Sequence, residues 1–184
     1  RAFDDAVTIA VLAAKFGSPE WPLGRMRRTK LMYLLHRKAE VDTDRFLKKA
    51  AGPYNPSAKY GGPERIARKS GYVADHKHGK VTGFVAGQNV GQAQEYFSQW
   101  YPTVDLKWLE QFRKYKNEHL ELLTTVDFAM QELIRGGEQP TVETVRDLIA
   151  AEPEWAPKLE RSIFSDEHIR DRKSTRLNSS HYRT

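Results

Sequence analysis

The sequence predicts a mainly α-helical fold with one β-hairpin, in which a winged helix-turn-helix-like N-terminal part (residues 1–87) packs on a helical part of the same domain (residues 88–170). Three observations predict it. Apolar residues recur three and four apart through most of the chain, the spacing of a helix face. Clusters of glycine and proline cut that pattern into short helices. One stretch, 72–86, collects strand-forming residues around a glycine.

The first helix is expected from about Phe3 to Phe16, with Phe3, Val7, Ala10, Val11 and Ala14 on one face and Asp4 and Asp5 favourably placed against the helix dipole's positive end in the first turn. Gly17 and Ser18 stop it. The loop GSPEWPLG follows, with Trp21 and Leu23 expected to pin it to the core. A second helix runs from about Arg27 to Ala39. Leu31, Leu34, Leu35 and Ala39 form its apolar stripe, and Arg27, Arg28, Lys30, Arg37 and Lys38 occupy much of the rest of its circumference. Cations in a first turn oppose the dipole, so local stability does not explain Arg25, Arg27 and Arg28. An anionic partner would.

Arg45 to Ala51 reads either as a short extended segment or as a helix turn, and Lys48 and Lys49 add to the basic surface. Ala51 to Pro56, AGPYNP, is expected to be irregular, because two prolines fix φ and push their preceding residues towards extended geometry. Gly52, Pro53 and Tyr54 form either a rigid recognition loop or a tight turn that packs Tyr54 into the core. Pro63 suits a helix N1 position, and Glu64 to Ser70 gives a third, short helix that Gly71 ends.

The hairpin is placed at 72–86, with Tyr72, Val73, Val81, Phe84 and Val85 in its strands, Gly79 in its turn, and Lys77, His78 and Lys80 at its tip. Short helices followed by a basic-tipped hairpin follow the element order of a winged helix, in which a helix enters the major groove and the wing touches backbone. His76 and His78 share a strand face, but without cysteine or a marked third ligand they are not read as a metal site.

A helix is expected from Asn89 to Pro102 around Val90, Ala93, Phe97 and Trp100. After a cap at Thr103 or Asp105, a helical stripe from Leu106 to Ile134 is expected to run about thirty residues to Gly136–Gly137, with a bend near Lys116–Asn117. Thr141 opens a further helix over Val142, Val145, Leu148 and Ile149. Pro153, Trp155 and Pro157 end it, and Ser165 caps a last helix.

The chain has 184 residues, of which 39% are hydrophobic, enough for one domain that buries roughly 70% of its unfolded surface. It has no cysteine, which excludes disulfides and thiolate metal sites and fits a cytoplasmic setting. No apolar run is long enough to span a bilayer. The chain opens on Arg1 at the brink of a helix, as a fragment of a longer protein would. Residues 171–181, DRKSTRLNSSH, resemble one reading frame of a short-read sequencing adapter, so 171–184 is expected to be a non-native tail that replaces the body of the last helix. Without it the formal charge falls from +6 to +3. What remains is charge separation. Residues 15–80 hold 16 Lys or Arg against 6 Asp or Glu, and residues 105–170 hold 9 against 14. One half is expected to face an anion, the other water or a protein.

RRTKLMYLLHRKAEVD, then FLKKAAGPYNP, the hairpin, and the stretch from Ala129 to Arg170 together resemble a C-terminal accessory domain of bacterial type I restriction-modification specificity subunits. Arg28, Lys30, Leu31, Met32 and Leu34 carry the resemblance in the helix, and Ala50, Ala51, Gly52, Pro53 and Tyr54 carry it in the loop. More distantly, the helix and its GP loop resemble the Panacea domain of phage-related and toxin–antitoxin proteins. Arg27 stands where members of the first family have glycine. The resemblance implies a non-catalytic module that assists DNA backbone contact or assembly with the methylation and cleavage subunits of a restriction complex.

The leading expectation is therefore a module whose Arg25, Arg27, Arg28, Lys30, Lys48, Lys49, Lys77 and Lys80 contact the phosphates of double-stranded DNA. The alternative is a protein-interaction adaptor or antitoxin-like domain without DNA contact, which exposed aromatics among Trp100, Tyr101, Trp108 and Trp155 would favour. No enzyme is expected. Asp75 with Lys77 and Lys80 does not make a nuclease constellation, and GGPERIARK lacks the lysine–hydroxyl ending of a phosphate-binding loop, so no cofactor is assigned.

Overall fold

The computed structural model describes residues 2–39, 47–49, 52–54, 62–175 and 177, and for 47–49 and 52–54 it describes the backbone. It is mainly helical. Helix α1 (Ala2–Phe16) and helix α2 (Arg25–Lys38) are followed by two short antiparallel strands, β1 (Leu47–Lys49) and β2 (Gly52–Tyr54). Then come α3 (Gly62–Lys69) and an antiparallel hairpin, β3 (Val73–His78) with β4 (Val81–Ala86). The rest is helical: α4 (Val90–Trp100), a 3-10 segment Leu106–Phe112, α5 (Asn117–Arg135), α6 (Val142–Ala151), two 3-10 turns Ala156–Glu160 and Ser162–Phe164, and α7 (Asp166–Lys173).

Two helices make the centre. From Asp5 to Ala13 every residue of α1 is buried, because α3 and α4 lie along it, α2 crosses it and β4 backs it. Every residue of α2 from Arg28 to Arg37 is buried as well, between α1, α5, β2 and the 3-10 segment. Of its cations, Arg28, Lys30 and Arg37 are buried in the protein, whereas Arg25 at the head of the helix is exposed. One apolar cluster joins α1, α2, the hairpin, α5, α6 and α7, and extends to Leu177.

The hairpin has the register His78↔Val81, closed by a two-residue turn in which Gly79 has φ 60°. It is fastened to the loop before α2 by a β-bridge between Leu23 and Phe84, with N–O distances of 2.9 and 3.0 Å. Gly83 permits that contact, since a Cβ there would lie 2.4 Å from the Leu23 carbonyl carbon.

Three expectations change. Residues 52–54 of the AGPYNP stretch are a strand paired with β1, Lys48 opposite Pro53 and Lys49 opposite Gly52, rather than irregular chain. Ala50, Ala51, Asn55 and Pro56 lie outside the described residues, as does the side chain of Tyr54. The single stripe from Leu106 to Ile134 is broken rather than bent. Asp105 caps the 3-10 segment by accepting from the Lys107 amide at 2.9 Å, and a new α-helix starts at Asn117. Ser165 does cap the last helix, whose body continues through Lys173 with Ile169 buried. Thr141 heads α6 in a reciprocal capping box with Thr144. Among the described residues no helix is long and apolar enough to cross a membrane.

Candidate functional site

Of the eight cations expected on DNA, the structure turns four inward or ties them down. Arg28 is 5% exposed; it donates to Glu64 at 2.8 Å and to the Leu23 carbonyl at 3.1 Å, and its guanidinium stacks 4.3 Å from the centre of the Phe84 ring. Burial lowers its pKa against the opposing pull of Glu64. Arg25, at the head of the helix, makes a two-pronged pair with the same carboxylate, at 3.0 and 2.9 Å. Burial raises the Glu64 pKa, but the Arg25 hydrogen bond and the Arg28 charge outweigh it, so this acid lies below the usual carboxylate range.

Arg27 is half-buried and donates to the carbonyls of Tyr115, Phe112 and Arg113 and to Asn117 Oδ1, all within 2.7–3.0 Å. Those carbonyls sit where the 3-10 segment ends and α5 has yet to begin, so Arg27 satisfies acceptors that the chain break strands. Lys30 is 3% exposed, and burial lowers its pKa to about 8, with Glu121 opposing and Lys158 and Arg27 adding to the fall. Neither Arg28 nor Lys30 can reach a phosphate from these positions; the DNA expectation for them is corrected by their burial.

The remaining cations divide. Lys77 and Lys80 stand exposed at the hairpin tip, as expected, whereas the side chains of Lys48 and Lys49, like those of Gly52, Pro53 and Tyr54, lie outside the described residues. Among the described residues no three His, Cys, Asp or Glu side chains come together as a metal site.

Further along α2, Arg37 and the Tyr33 hydroxyl each donate to Asp127 Oδ2 at 2.7 Å, and both Arg37 and Asp127 are buried. Glu121 on α5 accepts from Arg161 at 2.7 Å and from Lys158. The basic helix is therefore countered from within by Glu64, Glu121 and Asp127. The signal was present in the sequence, as isolated acids in otherwise apolar stretches such as LELLTTVDFAM.

What the structure exposes instead is apolar. Trp21, expected in the core, is 72% exposed, the most exposed large hydrophobic side chain among the described residues; Met26 is 56% and Val81 37% exposed. A tight turn causes it. Ser18 and Trp21 exchange backbone hydrogen bonds at 3.0 and 3.1 Å, which presents the indole outward while Leu23, locked to Phe84, goes in. These three side chains border one groove of about 870 Å³, which runs between the 17–24 loop, the first turn of α2, the hairpin and the connection 113–117. Of the aromatics named for an adaptor, Trp155 is fully buried and Trp108 and Tyr101 are half-buried. Trp100, 37% exposed, packs 5.8 Å from the Phe3 ring and 5.6 Å from the Tyr96 ring.

No protein-family model, curated protein or solved structure matches the chain.

Proposed function

We propose that the chain is a non-catalytic accessory module that works by docking a protein partner. Its resemblance to the accessory domain of type I specificity subunits makes the methylation and cleavage subunits of a restriction complex the first candidates. One observation carries the reading: Arg28, Lys30 and Arg37 of α2 are buried in the fold and Arg25 and Arg27 are held by hydrogen bonds within the chain, whereas Trp21, Met26 and Val81 stand exposed around one groove. Aromatic anchors ringed by polar groups are what protein interfaces use, and leaving a Trp in water has no benefit for the isolated chain.

Titration of the chain against a purified type I methylation subunit, followed by sedimentation velocity, tests this. The expected result is a complex that survives ~0.3 M salt, since its anchor is apolar. Failure to form it, together with tight binding to duplex DNA, overturns the reading.

A second reading keeps DNA contact, and the exposed Lys77 and Lys80 at the hairpin tip favour it. Were the hairpin to act as a wing, α3, with its exposed Arg65 and Lys69, would take the groove-facing role. Four phosphate contacts would give a log–log salt slope of about −3.6 on duplex DNA, and Lys77→Glu with Lys80→Glu would make it shallower by about two units. A slope indifferent to both changes removes the hairpin from DNA.

A further inference from the structure

Docking by itself says nothing about the chemistry of the partner, but the walls of the groove do. Five cations line it, Lys15, Arg25, Arg27, Arg113 and Lys116, and among the described residues no aspartate or glutamate does. Among the described residues, two carboxylates stand behind them: Glu110 pairs with Lys15 at 3.0 Å and with Arg113 at 2.8 Å, and Glu64 pairs with Arg25 at 2.9 Å. With both acids counted, the cations still exceed them by three, around an apolar patch made of Trp21, Met26 and Val81.

We infer, on the strength of the docking role proposed above, that this groove takes an acidic amphipathic segment of a protein partner, with large apolar side chains against Trp21, Met26 and Val81 and carboxylates facing Lys116 and the neighbouring arginines. The walls are already built for it. The Leu23–Phe84 bridge holds the loop to the hairpin, and the four hydrogen bonds of Arg27 hold the start of α2 to Phe112 and the 113–117 connection. Binding therefore orders little of this chain, which removes much of the usual entropic cost of association.

Single-stranded nucleic acid, which also likes an aromatic beside cations, fits less well. It needs successive open ring faces on which bases can stack. Here the Phe16 ring carries the Arg113 guanidinium 4.8 Å from its centre, and the Tyr115 ring carries that of Arg172 at 5.6 Å. Among the described rings that line the groove, Trp21 alone is exposed, and its neighbours Met26 and Val81 are aliphatic.

The test selects a random peptide library of roughly 16 residues, about four helical turns, on the full chain. Enriched peptides are then measured by fluorescence anisotropy on the parent chain, on Trp21→Ala and on Lys116→Glu, beside an oligo(dT) of similar length and sedimentation of the chain alone. Both replaced side chains are exposed, and circular dichroism melts verify that the variants fold. The expected winners carry Asp or Glu among apolar residues at helical spacing. Trp21→Ala weakens them about tenfold or more, and Lys116→Glu weakens them and flattens their salt dependence. Neutral or basic winners, binding untouched by Trp21→Ala, oligo(dT) binding lost in Trp21→Ala, or self-association lost in Trp21→Ala would each overturn the assignment. If the methylation subunit binds the parent and Trp21→Ala equally, the docking role stands and the groove is the wrong place. If acidic peptides bind at Trp21 while that subunit is refused, the groove stands and the partner lies elsewhere.

Discussion

Glu64 is 2% exposed and holds both Arg25 and Arg28, so its removal strands a guanidinium that water cannot reach. Glu64→Ala is expected to cost about 3–5 kcal/mol, read as a fall in the midpoint of urea unfolding. Glu110 makes as many bonds, two to Arg113 and one to Lys15, yet it stands in solvent. Glu110→Ala should leave the midpoint nearly unchanged. An equal cost at the two positions would show that burial is not what separates them. Lys30 supplies a pH signature. Its folded pKa of about 8 lies below the ordinary 10.5, so between those values the unfolded chain binds more protons and stability rises with pH. Below pH 8 the full penalty applies, and above 10.5 none remains. Lys30→Met is therefore expected to be more stable than the parent at neutral pH, by up to about 3 kcal/mol, and to lose that alkaline rise. Thermal melts of both proteins at neutral and alkaline pH decide it; parallel pH profiles would refute the shift.

Where elements meet, contact depends on small groups. Gly83 lets β4 lie against the Leu23 backbone, and a valine there has no room. Gly83→Val is expected to break the Leu23–Phe84 bridge, cost about 1–3 kcal/mol and lower Tm by several degrees. Amide exchange at Leu23 and Phe84 should quicken while that of α5 holds; uniform change would mean global destabilisation instead. The elements themselves were largely legible. The 3.6-residue period located α1, α4 and α6, Gly79 marked the hairpin turn, and Thr141 and Ser165 are caps in fact as in pattern. Helix α2 was legible as a helix but not as a buried one, because a sequence displays its charges without showing what faces them. Arg28 and Arg37 meet acids 36 and 90 residues away, beyond the reach of any local pattern. Trp21 failed for the opposite reason: its size argues for burial, and only the turn between Ser18 and Trp21 turns it out. The groove draws on both, since Arg25, Arg27 and Met26 come from the helix and Trp21 from the loop.

Across the whole molecule the apolar cluster runs unbroken from α1 to Leu177, so the parts 1–87 and 88–170 share one interior. Neither part expressed alone should show a cooperative melt, since α4 would lose α1 and α5 would lose α2. A sharp two-state transition in an isolated 1–87 fragment would contradict this. The burial of α1 also sets a timetable for synthesis. Helix α1 is clothed mainly by α3 and α4, the second of which is encoded about 80 residues later; at 5–20 residues per second, roughly 4–16 s of translation pass before Val7, Ile9, Val11 and Leu12 have their full native cover. For that interval the nascent chain presents a sticky, nearly uncharged helix, which makes it a client for chaperones that hold apolar segments until the rest of the protein arrives.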